Sequence, residues 1–106
     1  MVVGVLRLTL HVPAAQSLKD KRHALRKIID RVRAKFNVSC SEVGDSDLWQ
    51  RASVGVACVS NDHSFVNEQL DKVVSEVERT AVADILDREM EIETYGEMHE
   101  RGGMLK

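Results

Sequence analysis

The segment Val2-Val3-Gly4-Val5-Leu6-Arg7-Leu8-Thr9-Leu10-His11-Val12 alternates: Val2, Gly4, Leu6, Leu8, Leu10 and Val12 fall on one side of an extended chain, and Val3, Val5, Arg7, Thr9 and His11 on the other. A period of two is that of a half-buried strand, here with its even side on a core. Pro13 ends it, because proline has no amide to donate to a ladder. The period then changes. Ser17, followed three residues later by Asp20, has the spacing of a helix start, and Leu18, Leu25, Ile28, Ile29, Val32 and Phe36 recur at helical spacing behind it. Residues 18–35 therefore read as an amphipathic helix whose apolar stripe packs on the sheet that the first strand begins.

Outward from this strand and helix, the remaining segments follow the same grammar. Asn37 to Val43 reads as a short second strand, and Gly44-Asp45-Ser46-Asp47 supplies turn residues after it. Arg51 to Ser60 reads as a third, with Ala52, Val54, Val56 and Cys58 on one side and Ser53, Gly55, Ala57 and Val59 on the other. Ser60, Asn61 and Asp62 are all suited to cap a second helix, whose stripe of Val66, Leu70, Val73, Val74 and Val77 runs to about Thr80. Val82 to Thr94 reads as a last strand with Leu86, Met90 and Ile92 sharing a side with Arg88, and Asp87, Glu89, Glu91 and Glu93 opposite. Residues 95–106 contain Gly96, Gly102 and Gly103, lack periodicity, and are expected to be a flexible tail behind a single domain at 1–94. The order β-α-β-β-α-β predicts an α+β ferredoxin-like two-layer sandwich, a four-stranded antiparallel sheet with both helices on one face. Right-handed crossovers then place the first and third strands in the centre and the second and fourth at the edges.

A length of 106 residues, with 43% hydrophobic and 30% charged, suits one soluble globular domain. The net charge of -2 conceals an asymmetry: residues 1–53 carry +5 and residues 54–106 carry -7. Such a dipole steers a polyanion to one end or pairs two copies head to tail. No apolar run approaches the ~20 residues of a membrane span, and Met1 to Val12 has neither a basic leader nor a cleavage site, so a cytoplasmic protein without membrane contact is expected. Cys40 and Cys58 are too few and too widely spaced for a disulfide framework or zinc knuckle, and read as buried thiols. A turn centred on Trp49 would set them opposite each other across two strands.

Four strings, in order, resemble the bacterial YlxP-like family: Ser17-Leu18-Lys19-Asp20-Lys21-Arg22, Phe36-Asn37-Val38-Ser39, Asp47-Leu48-Trp49-Gln50-Arg51-Ala52 and Val59-Ser60-Asn61-Asp62. The resemblance spans roughly residues 1–94 and implies the ferredoxin-like fold, while the family itself is of unknown biochemical function. Its members often lie in gene clusters with transcription and translation factors, including ribosome-binding factor A, which implies ribosome or RNA association by neighbourhood.

Three places are candidate sites. Lys19, Arg22, Arg26 and Arg33 fall within about 60° on the first helix, a basic ridge that, with Arg51, could contact several phosphates of ribosomal RNA or a ribosomal particle; a solvated face with Asp30 paired to Arg26 or Arg33 is the plainer alternative. Val3 and Val5, with Gly55, Ala57 and Val59, put an apolar patch on the sheet face away from the helices. This face has no aromatics for stacking RNA bases, so a homodimer interface is expected there. Trp49 beside Arg51 reads either as an interface anchor or, preferably, as a lid over the end of the core.

An enzyme is not expected. The loop Pro13-Ala14-Ala15-Gln16-Ser17 lacks the glycine and arginine of an acylphosphatase phosphate cradle, and His11, Ser17 and Asp20 do not make a triad once Ser17 caps a helix. His23, His63 and His99 have no ligand spacing, so neither a metal nor any other cofactor, and no small-molecule substrate, is expected.

Overall fold

A computed structural model describes residues 1–96. Val2–His11 forms β1, Leu18–Lys35 α1, Ser39–Gly44 β2, Arg51–Ser60 β3, His63–Thr80 α2 and Asp84–Thr94 β4, in the sheet order β2-β3-β1-β4 with every pairing antiparallel. The architecture is the ferredoxin-like α+β sandwich, with β1 and β3 central. The even residues of β1 turn inward as their period requires: Leu6, Leu8 and Leu10 are buried beside Ala52, Val54 and Val56 of β3. Against them pack Leu25, Ile28 and Val32 of α1 and Val66, Leu70, Val73 and Val77 of α2. Gly4 lies directly beneath α2. A Cβ there would collide with Val66 and lie 2.9 Å from Leu70 Cδ1, so only glycine fits beneath the helix.

The caps are those the residues suggest. Ser17 Oγ accepts from the Asp20 amide at 3.1 Å, Asp20 Oδ2 accepts from the Gln16 amide at 3.0 Å, and Asp62 Oδ1 accepts from the Ser64 amide at 3.0 Å. α2 ends on Ala81 in the left-handed region, φ 58°, which turns the chain toward β4.

Two expectations of register are corrected, one from strand parity and one from a turn centred on Trp49. Between Thr9 and Leu10 the β1–β4 register slips, so that Ile85 rather than Leu86 stands opposite Leu10, and Leu86 is exposed. The β2–β3 register slips between Glu42 and Gly44; Cys40 stands opposite Val56, not Cys58. Both cysteines are free and buried, and burial raises each thiol above its ordinary value, an effect that Arg33 partly offsets at Cys40. Tyr95, expected to begin the tail, instead exchanges backbone hydrogen bonds with Met1 (2.7 and 2.9 Å), and the rest of that tail, 97–106, lies outside the described residues. Among the described residues, no helix is long and apolar enough to cross a membrane.

Candidate functional site

The cations of α1 divide by what each one meets. Lys21 lies within the helix's apolar stripe and is fully buried, its Nζ donating to the carbonyls of Asp45 (2.7 Å) and Arg51 (3.2 Å) and standing 3.3 Å from Glu42 Oε2. It staples α1 to the β2–β3 turn. Arg31 and Lys35 reach across to Glu76 of α2 at 2.6 and 2.9 Å, and Arg79 joins them at 3.4 Å. Hydrogen bonding from Lys35 above all, then from Arg31, with the attraction of both cations, holds the Glu76 carboxyl below its ordinary range against the opposing effect of burial. These charges clasp the two helices.

Lys19, Arg22, Arg26 and Lys27 make no ion pair among the described residues. All four line a groove of about 720 Å³, whose walls are the β1–α1 loop, the first turns of α1 and the turn after α2. Its floor is apolar, with Val12, Ala15, Ala24 and Val82, and its rim is completed by His23. Among the described residues, Asp20 is the one acid that lines it, and its Oδ2 accepts from the Gln16 amide. The loop wall is fixed from β3, where Gln50 Nε2 donates to the carbonyls of Pro13 (3.2 Å) and Ala15 (3.0 Å) and the Gln50 carbonyl accepts from the Val12 amide (2.8 Å). A concave, apolar-floored groove with four free cations suits an extended anion, a phosphodiester chain above all.

The ridge foreseen from the sequence is thus brought together in part. Arg22 and Arg26 also line a smaller groove of about 340 Å³ toward β2, shared with Arg33. Arg33 donates to the Cys40 carbonyl at 2.6 Å, and Asp30 pairs with neither Arg26 nor Arg33. Arg51 lines neither groove; its Nε lies 3.3 Å from Asp45 Oδ2. The ridge read from helical spacing leaves out His23 and Lys27, although each lies within one residue of a ridge arginine.

On the opposite side of the sheet, Val3, Val5, Gly55, Ala57 and Val59 do share one face, and Val43, which the strand pattern did not single out, joins them. Val5, Val43 and Val59 are 44%, 58% and 60% exposed. Gly55 leaves room for Val43, whose Cγ1 lies 2.9 Å from where a Cβ would stand. Trp49 is neither a lid nor part of this patch: it is 57% exposed in the β2–β3 connection and lies outside both grooves. The loop holding it spends its polar contacts on Lys21 and Gln50 instead, leaving the indole outside. Among the described residues, no group of three or more His, Cys, Asp or Glu side chains could hold a metal ion.

Comparison with known proteins adds a family and a fold. The model of a family described as "Protein of unknown function (DUF503)" matches residues 3–90. The uncharacterized protein YlxP of Bacillus subtilis (strain 168) is 46% identical over 85 residues, which cover 74% of this chain and 92% of that one. Among solved structures, the de novo designed protein Foldit4 superposes with a TM-score of 0.51 at 16% identity, covering 89% of this chain and 97% of its own; this is a likeness of fold alone.

Proposed function

The chain belongs to the DUF503 family of proteins of unknown function, and from that premise we propose that it is a small, non-enzymatic accessory factor that associates with ribosomal RNA or a ribosomal particle through the exposed flank of α1. The observation that carries this reading is the convergence of Lys19, Arg22, Arg26 and Lys27, without ion-pair partners among the described residues, on one concave groove. By contrast, Lys21, Arg31, Arg33, Lys35, Arg51 and Arg79 each meet a carboxylate or a carbonyl. Phosphates are the anions that an array of this kind holds along a chain, and each contact releases counterions, so the association is steeply salt-dependent. The apolar floor gives room to a sugar or a base edge but no aromatic to stack on, which favours backbone contact over sequence readout.

Co-sedimentation with ribosomal subunits of the host on sucrose gradients, at about 50 and about 200 mM salt, tests the reading. Co-migration with one subunit at the lower salt, fading at the higher and abolished in Arg22→Glu/Arg26→Glu, is the expected result. Absence from every ribosomal fraction at both salts, or unchanged co-migration of the double variant, refutes it.

A further inference from the structure

The open face of the sheet is ordered in rows that the pairings fix. Ser39, Ala57, Val5 and Glu91 stand side by side across β2, β3, β1 and β4; the next row is Ser41, Gly55, Arg7 and Glu89. Val59, Val3 and Glu93 form a third, and Gly44, Ser53, Thr9 and Asp87 a fourth. The face therefore has a margin of Ser39 and Ser41 on β2, a centre of mostly small, apolar side chains into which Arg7 is set, donating to Ser53 Oγ at 3.2 Å, and a carboxylate at the β4 end of every row. Asp87, Glu89 and Glu91 have no ion pair among the described residues, and Glu93 accepts from the Tyr95 hydroxyl at 2.7 Å. A hollow of about 690 Å³ lies over the centre.

We propose that this face docks a basic amphipathic α-helix of a partner protein, its apolar stripe over Val5, Ala57 and Val43 and its lysines or arginines along β4. The backbone of the occupant decides its form. An extended segment laid on a sheet face finds no partners for its amides, since the strands beneath are already paired, whereas a helix satisfies its own. The charge decides its chemistry. Alternate residues of β4 are roughly 6.8 Å apart, and helix positions four residues apart, which share a face, are about 6 Å apart, so lysines or arginines on that face, with their long stems, can answer successive carboxylates. A second copy of the chain fits less well: face to face, it offers β4 either another acidic β4 or the serine margin of β2, and the cation in its rows, Arg7, donates to its own Ser53 at 3.2 Å and stands beside its own Glu89. The centre, with glycine and alanine under the hollow, gives a helix the depth that three exposed valines would otherwise deny it.

The probe is a synthetic helix of about eighteen residues with a leucine and alanine stripe and lysines along one side, compared with the same peptide carrying glutamates there. It is titrated into the methyl-labelled full chain. The lysine peptide should shift the methyls of Val5, Val43 and Val59, and bind about tenfold more tightly than the glutamate peptide. Glu89→Lys/Glu91→Lys should reverse that preference, and Glu89→Gln/Glu91→Gln should abolish it. Equal binding of both peptides, shifts mapping to α1, or no shift with either overturns the proposal. So do methyl shifts that follow protein concentration without peptide, which identify a second copy, or contacts of residues 97–106 on these valines, which identify the chain's own end.

Discussion

The flank of α1 and the open face of the sheet are built alike and charged oppositely. Each has an apolar floor and a charged rim, cationic around Val12, Ala15, Ala24 and Val82, anionic beside Val5, Ala57 and Val43. They differ in how the charge is spaced. On α1 the cations converge on one groove from a curved helical surface, while the pleat of β4 sets its carboxylates in a straight line. The first suits a bent polyanion and the second a straight, evenly charged rod. The pair also teaches that the sign of a residue says little of its work until its neighbours are known. Lys19 and Lys21 are two positions apart on α1, yet one is free and exposed and the other is buried between two carbonyls and Glu42.

The largest effect expected of any variant follows from that contrast. Lys21→Met keeps the stem but leaves the Asp45 and Arg51 carbonyls without their donor and Glu42 without its cation, and Glu42 Oε2 is buried with no hydrogen bond of its own. A loss of roughly 3 kcal/mol, or a Tm lower by roughly 10–20 °C, is expected. Lys19→Met should stay within about 0.5 kcal/mol. Equal melting of the two variants would erase the distinction between the structural and the free cations. Glu76 offers a second way to break it. Because its carboxyl is held below the ordinary range in the folded chain, its contribution is complete above about 4.3 and lost as the pH falls through the lowered folded value. Glu76→Gln should therefore be less stable than the parent in urea at about pH 7, with the gap narrowing toward about pH 3. A gap of constant width would mean that the Arg31, Lys35 and Arg79 clasp does not depend on that charge.

Binding variants separate the two surfaces. Arg22→Glu/Arg26→Glu should weaken RNA association about a hundredfold at low salt and lower the salt slope by about 2, while leaving the lysine helix bound to the sheet. Val5→Lys should do the reverse. It weakens the lysine helix about tenfold and spares RNA, and it costs the fold little, because a lysine there faces Glu91 across the β1–β4 pair. One variant that damaged both activities would show the two surfaces to be one site.

Most of the fold is legible in the sequence because two periods, applied to six segments, leave few ways to assemble them. The bounds of α1 and β3 follow directly from their stripes. What escapes is set by single residues that break a period. The bulge at Leu86 swaps the inward residue of β4 from Leu86 to Ile85, and only the pairing with β1 reveals it. Cys40 and Cys58 would face each other only about a turn centred on Trp49, whereas the pairs from Ser39–Ala57 to Glu42–Val54 are centred one residue earlier. For the sites, helical spacing finds Lys19, Arg22 and Arg26 but assigns Arg33 the same role, and Arg51 of β3 was added to them by its charge; the Cys40 carbonyl and Asp45 that occupy these two come from other elements. Lys21 was readable. It falls between Ile28 and Val32 on the helical wheel, and a lysine in the centre of an apolar stripe is a buried lysine in search of acceptors. Likewise Ser17, Lys21 and Gln50, which lie in the strings shared with the YlxP-like pattern, all prove to hold loops in place.

The smallest effect is expected at Trp49. A lone tryptophan in a chain with four aromatics invites a role in the core, and burying an indole is among the largest single gains a small domain can make. Here the β2–β3 connection is held by other means: Lys21 from beneath, Gln50 toward the β1–α1 loop, and Arg51 on Asp45, itself in the left-handed region at φ 60°. With the loop fixed without it, the indole is 57% exposed and its removal takes little from the fold. Trp49→Ala should therefore shift the urea midpoint by less than about 0.5 kcal/mol and leave both the α1 groove and the sheet face active. A loss of several times that size would place Trp49 over the end of the core after all. An unchanged fold that no longer binds RNA would instead extend the basic surface from α1 across the Gln50 contact to this loop.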